Sequence, residues 1–527
     1  MVRVKLTSMA NYVPKIVMDE PGSSNVNLSR VIRTSMAPGL LYPLLTEKVF
    51  PGDNVNISVS SLVKTMPTFN ALFGSAKLQV DGYFIPTRLY SRLLHDDRTS
   101  FEPSSVLYPR FQLRYDKDIT PSSDIVPGVH PSSLWHYLGV PQTFVDPDSV
   151  STSVVPRNFN SIPFIGYWDI FRSYYANTQE QVFWYMGVGN TGGAARQYAT
   201  LTEIDTLRQD ILQYPATSSM LISTNTASGW RSLNNAHYAL GGLACRTYLP
   251  DRFNVFINSD RYNNTLASAL VDTSAGSFDM DALRFANKLN KMLQRTLISG
   301  GRYSDWQEVQ YGARLRTVNE VPQFFGSISS EITFEDVVQT SSDTTGSDPL
   351  GTLGSRGRGY MDGRSLKTYI PEHGYVMIIV SIIPRVDYYQ GVAHYLKTFS
   401  LSEEHVPALD SIGFQDLLVD DYAAASTQVN SSGDVISWTA IGKQPAWTEL
   451  MTSINSLHGD FADPNKLMTM TFARTYAGAS IGITYMDPRL FNQNFADSSI
   501  TGQNFWLQSA FKFFVRRRIS KKVMPSL

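Results

Sequence analysis

Polar and apolar residues alternate with a period of two in three separate stretches of the chain. In DNVNISVSS, Val55, Ile57 and Val59 alternate with Asn54, Asn56, Ser58 and Ser60. In AKLQVDGYFIP, Leu78, Val80 and Phe84 form the apolar set, and Lys77, Gln79, Asp81 and Tyr83 point the other way. Near the end, NFWLQSAFKFFVRRR repeats the pattern through Phe505, Leu507, Phe511, Phe513 and Val515. This period predicts strands with one buried face. Tyr375 to Ile383 differs, being apolar on both faces and rich in β-branched residues, so it predicts a strand covered on both sides and ended by Pro384.

The middle of the chain breaks this rhythm. Pro103 to Pro163 holds nine of the 27 prolines, interleaved with Ser and Asp, and reads as an extended, loop-rich excursion. YWDIFRSYYANTQEQVFWYM predicts a helix. So does MDALRFANKLNKMLQRTLISGG, where Ala282, Phe285, Ala286, Leu289, Leu293 and Leu297 share a stripe that Gly300 and Gly301 end. The segments 258–277 and 340–359 have loop composition. Early and late strands must share one sheet system, because neither set alone closes a core. Many strands, long loops and few helices predict a sandwich or jelly roll. The expected divisions are 1–100 for an N-terminal arm and first strands, 101–320 for long helix-bearing insertions with a surface protrusion, and 321–527 for the remaining strands and a basic tail.

Composition narrows the function. The 527 residues carry 45 Lys and Arg against 46 Asp and Glu, so any nucleic-acid contact has to be local. One cysteine, Cys245, excludes an internal disulfide and any multi-cysteine zinc site. The first residues lack the apolar core of a signal peptide, and the longest apolar run is far short of the roughly 20 residues a spanning helix needs, so no membrane span is expected.

Catalytic candidates weaken one by one. GVGNTGG places glycines at 187, 189 and 192 with Asp205 downstream, but a dinucleotide site needs a strand before them and a helix after; a plain glycine loop is the better reading. Glu372 and His373 suggest an acid–base pair, yet neighbours on a strand face opposite ways, which favours a turn entering a core strand. His95, Asp96 and Asp97 lack a ligand partner at metal-binding spacing and read as an exposed polar loop. No cofactor or metal is expected, and no enzyme. One feature stands out: Arg516, Arg517, Arg518, Lys521 and Lys522 fall within seven positions directly after a strand, in FVRRRISKKVMPSL. Such a tract is either a solvated end or a phosphate contact. The adjacent aromatics Trp506 and Phe514 are candidates to stack bases, with core packing the favoured role.

Eight motifs then occur in order: VFPGDNVNIS followed by LQVDGYFIPTRLY, FIGYWDIFRSYYANTQE, GGRYSDWQEVQYG, VPQFFGSISSEITFEDVVQTS, IPEHGYVMIIVSIIPRVDYYQG, HVPALDSIGFQD and NFWLQSAFKFFVRRRISKKVMPSL. In this the chain resembles the major capsid proteins of the Microviridae, small icosahedral single-stranded DNA phages, and the gokushovirus-like, gut-associated branch above all. The likeness runs from about residue 40 to the end and is weakest between Trp184 and Ala282. It implies a single eight-stranded antiparallel jelly roll with long insertions, and sixty copies in a T=1 shell around circular single-stranded DNA. It further implies a small basic DNA-binding protein, a pilot protein, a scaffolding protein and a host surface receptor as partners, with the virion as destination and the host cytoplasm as the site of assembly. Gly187 to Gly242 departs most from the family and is expected to be an added insertion; it or 258–277 is expected to protrude outward. The alternative from another class is a cytoplasmic β-sandwich enzyme or binder of carbohydrates, supported by 27 Tyr, 8 Trp and the acids Asp420 and Asp421.

Overall fold

The computed structural model describes residues 22–95, 302–313, 320–338, 353–398, 440–475, 488–499 and 502–519, with shorter pieces between them that include 131–140, 157–175, 184–190, 193–198, 219–224 and 414–421. Its centre is one antiparallel sheet of nine strands. These are β1 (Ser24–Asn27), β2 (Arg30–Met36), β3 (Tyr42–Val49), β4 (Asn54–Pro67), β5 (Ser75–Pro86), β6 (Gln323–Val338), β7 (Leu353–Tyr369), β8 (Gly374–Pro384) and β9 (Phe505–Arg517).

Across the sheet the order is β1-β9-β4-β7-β6-β5-β8-β3, with β2 following β1 along the same edge of β9. The first and last strands of the sequence are therefore neighbours, as the shared-sheet expectation requires. Consecutive strands β2 and β3 stand at opposite edges. The sheet curls enough for Arg30 of β2 to reach Glu47 of β3, Nη1 to Oε1 at 2.6 Å. Inside the curl, Val55, Ile57 and Val59 of β4, Leu78, Val80 and Phe84 of β5, Val376, Ile378 and Val380 of β8, and Phe505, Leu507, Phe511, Phe513 and Val515 of β9 form one buried core. The period-two pattern has a simple cause here: one face of each strand meets the opposite half of the curl.

The two halves of the sheet differ on their outer faces. Over β5 lies the helix α1 (Ile162–Ile170), whose residues are nearly all buried. Trp135 stacks on Phe164 at 4.3 Å between ring centres, and Tyr167 donates to the Leu41 carbonyl at 2.8 Å. Gly166 lets the helix approach Ile85, whose side chain occupies the place a Cβ would need. This layer corrects the expectation that Asp81 points to solvent. Asp81 is buried, because a wider helical turn at Phe171–Tyr175 covers it. Tyr83 donates to the Tyr175 hydroxyl at 2.8 Å, and Tyr175 donates to Asp81 Oδ2 at 2.6 Å. The strand keeps its expected inner face, and the returning insertion closes the outer one. Tyr375 to Ile383 is likewise covered on both sides.

Two further expectations change. Of the helix expected over YWDIFRSYYANTQEQVFWYM, the described residues are helical up to Tyr175, and Trp184–Asn190 is instead a strand pairing antiparallel with Gly193–Tyr198. The loop expected over 340–359 ends earlier, since β7 begins at Leu353. Glycine there marks close packing rather than a turn: a Cβ on Gly357 would run into Thr65 and Phe334. The expected helix over 280–301 and the polar segment 258–277 lie essentially outside the described residues, as does Cys245.

Candidate nucleic-acid interface

Strand β9 carries the basic tract, and its alternation decides where each residue goes. Phe505, Leu507, Phe511, Phe513 and Val515 are buried, which sends Trp506, Gln508, Lys512, Phe514 and Arg516 to the outer face. Trp506 and Phe514 are 42% and 46% exposed, so the favoured core-packing role is wrong for both. Their positions in the alternation carry that information, since each sits one residue out of phase with the buried set.

The three arginines separate into different roles. Arg517 is tied into its own subunit: its Nε donates to Asp53 Oδ2 at 2.9 Å, its Nη2 donates to the Lys48 carbonyl at 3.0 Å, and the guanidinium lies 4.8 Å from the centre of the Phe50 ring. Asp53 is buried, and burial raises its carboxyl above the usual range, opposed by the Phe50 amide and the Arg517 charge. Arg516 is exposed, with Ser23 Oγ 3.4 Å from two of its nitrogens. Arg518 lies against Gly312, the left-handed C-cap (φ 61°) of the helix α2 (Tyr303–Tyr311). Together the three line a cleft of about 460 Å³ with Ser23, Gly52, Asn54 and Tyr369. Lys521 and Lys522 lie outside the described residues.

Charge is segregated between the halves of the sheet. Strands β1, β2, β4, β7 and β9 carry no cation, two, one, four and three respectively, against a single acid, Asp362. Strands β3, β5, β6 and β8 carry two cations and five acids. The basic half is the one whose outer face α1 does not cover, and Arg33, Lys64, Arg356, Arg358, Lys367 and Lys512 are exposed on it. Near-neutral total charge concealed this, because the segregated strands are interleaved along the chain.

The other chemistry resolves into structure. Glu372 is fully buried and accepts from Arg88 Nε at 3.1 Å, beneath the turn that leads into β8. His373 sits in an aromatic nest of Phe50, Tyr303, Trp306 and Tyr311, its Nδ1 3.1 Å from the Tyr303 hydroxyl. The two side chains have separate hydrogen-bond partners, Arg88 for Glu372 and Tyr303 for His373, in the turn that enters the core strand. Gly187 and Gly189 lie in the strand Trp184–Asn190, and its antiparallel partner Gly193–Tyr198 stands where a dinucleotide site needs a helix. Asp97 accepts from Ser304 N at 3.0 Å and Ser304 Oγ at 2.8 Å in the first turn of α2, so it is engaged rather than a free polar loop. Asp420 and Asp421 are both held by Lys397, at 3.0 and 2.5 Å. Among the described residues no group of three His, Cys, Asp or Glu could hold a metal ion, and no helix is long and apolar enough to cross a membrane.

Burial and Lys48 lower the His373 pKa to about 4. Unfolded, the imidazole titrates near 6.5, so between these values the unfolded chain binds the additional proton. Stability contributed by neutral His373 is therefore complete above about pH 6.5 and is lost as the pH falls toward 4, by at most about 3 kcal/mol. Glu372 and Asp53, whose carboxyls are raised by burial, act in the opposite sense and blunt the loss. Tyr303 and Tyr311 stay protonated throughout, being raised by burial. Urea midpoints of the wild type should fall between pH 7 and 4.5, and those of His373→Phe should fall less; parallel profiles would contradict this.

Comparison with known proteins agrees with the geometry. The profile of the capsid protein (F protein) family matches residues 21–525. The chain is 21% identical over 518 residues to capsid protein VP1 of Chlamydia phage 1, covering 83% of this chain and 84% of that protein. A profile match of this extent, over a strand-dominated fold with a bare basic half-sheet, makes the chain a member of the capsid protein (F protein) family and a major capsid protein of the Microviridae.

Proposed function

We propose that sixty copies of this chain close a T=1 icosahedral shell around a circular single-stranded DNA genome, with the basic half of the sheet turned inward. The segregation of charge carries the reading. A polyanion confined in a shell requires cations on the wall, and the uncovered half-sheet offers them on adjacent strands. The strand order supports an eight-stranded jelly roll, in which β2-β9-β4-β7 and β3-β8-β5-β6 would be the two four-stranded halves of the continuous sheet, meeting where β6 pairs with β7. The role is structural and non-catalytic. Small basic, pilot and scaffolding proteins, assembly in the host cytoplasm and a host receptor belong to the same reading, with Gly187 to Gly242 or the 258–277 segment as the outward protrusion.

In this reading Arg516 and Arg518 meet phosphate, with Lys521 and Lys522 following them, while Arg517 anchors the tail through Asp53. Changing all three arginines to Glu should impair packaging, but Arg517→Glu also sets a second carboxylate against buried Asp53 and so weakens the subunit itself. The sharper variant is Arg516→Gln with Arg518→Gln, which spares the Arg517 anchor. Particles of that double variant should assemble in normal yield and release DNA at lower salt than the wild type. Unchanged packaging and salt sensitivity would remove the tail from the DNA-binding role.

A further inference from the structure

Beyond the tail, the outer face of the basic half-sheet contains a second concavity. Arg33, Thr34 and Ser35 of β2, Leu62 and Lys64 of β4, and Trp506 and Gln508 of β9 line a cleft of about 480 Å³. Trp506 stands opposite Lys64 in the β9–β4 ladder, and Lys64 stands opposite Arg358 in the β4–β7 ladder. The Arg356 guanidinium is 5.8 Å from the Trp506 ring centre. Arg33 is oriented by a 2.9 Å bond from its Nε to Gln508 Oε1. None of the three lining strands contains an acid.

We infer that this cleft is a nucleotide subsite for single-stranded DNA, in which a base stacks on the Trp506 ring while flanking phosphates meet Lys64, Arg33 and Arg356. The inference rests on the proposed DNA-enclosing shell. An exposed indole ringed by cations combines the two elements of a sequence-indifferent single-strand site, a π-face and a positive groove. A pocket this size suits one small ligand unit. Duplex DNA does not suit it, since a base must be unstacked to lie on the ring. The contacts are to ring faces and phosphates, so every base is accepted.

The test is ultraviolet crosslinking of intact DNA-containing particles, followed by tryptic digestion and mass spectrometry. A nucleotide adduct is expected on the peptide Leu490–Lys512, localised to Trp506. Trp506→Phe should keep the adduct within about twofold, and Trp506→Ala should lower its yield about fivefold or more, the low end of what one base–aromatic stack contributes. Lys64→Gln should reduce the salt slope of DNA release by about one. Wild-type particles with adducts elsewhere and none on this peptide would overturn the subsite while leaving the enclosing shell intact. A crosslink from this peptide to a second copy of the chain would also overturn it, making the cleft a subunit contact. Particles without DNA would strike the underlying reading instead. Because the wild-type adduct is measured directly, failure of the alanine variant to assemble leaves the outcome decided.

Discussion

Val80→Asp is expected to abolish recovery of soluble subunit, and with it every particle. Val80 is fully buried, and it stands opposite Val380 on β8 and Ile328 on β6, in the middle of the sheet. A carboxylate there has no partner and faces an apolar interior, a penalty of several kcal/mol, roughly the margin of an ordinary domain. The neighbour Asp81 shows why location decides the outcome. It is also buried, yet Tyr175 and Gln79 donate to it on the outer face. Soluble Val80→Asp subunit in normal yield would place the inner face of β5 elsewhere.

The second large effect is expected at the buried ion pair. Arg88→Met leaves the Glu372 carboxylate in the interior without the guanidinium that compensates it, and its Oε1 already has no hydrogen-bond partner among the described residues. Removing one member of such a pair costs about 3–5 kcal/mol, whereas replacing both members is often close to neutral. Arg88→Met should therefore lower the denaturation midpoint sharply, and adding Glu372→Leu should restore much of it. Equal losses in the single and double variants would show that the pair does not act as a unit. The consequence extends beyond Arg88 itself: the pair joins the end of β5 to the turn that starts β8, and His373 beside it holds α2 against that turn.

Much of this architecture was legible in the chain, for a physical reason. Val55, Leu78 and Phe511 belong to strands with one face in the core, and a period of two is visible wherever one face is buried. The charge segregation was not legible, because it depends on which strands become neighbours. Arg33, Lys64, Arg356 and Lys512 are separated by up to hundreds of positions, and only the β2-β9-β4-β7 order brings them to one face. Asp81 misled for a related reason: its solvent face was covered by a segment arriving from residues 162–175, and local alternation cannot report a distant cover. At the tail, composition identified a basic tract but could not separate Arg517, which Asp53 holds, from Arg516, which is exposed. Trp506 and Phe514 carried their signal in the parity of β9, and hydrophobicity outweighed it.

A closed shell with the basic half-sheet toward the genome is a statement about both assembly and orientation. Cryo-electron microscopy of intact particles, produced with their viral partners, tests both parts at once. The expected result is a sixty-copy icosahedral shell of about 3.5 MDa from a 58.9 kDa chain, with Trp506, Lys64 and Arg516 lining the lumen against density for DNA. Monomers or dimers alone, or a shell that turns the β2-β9-β4-β7 face to the outside, would contradict it.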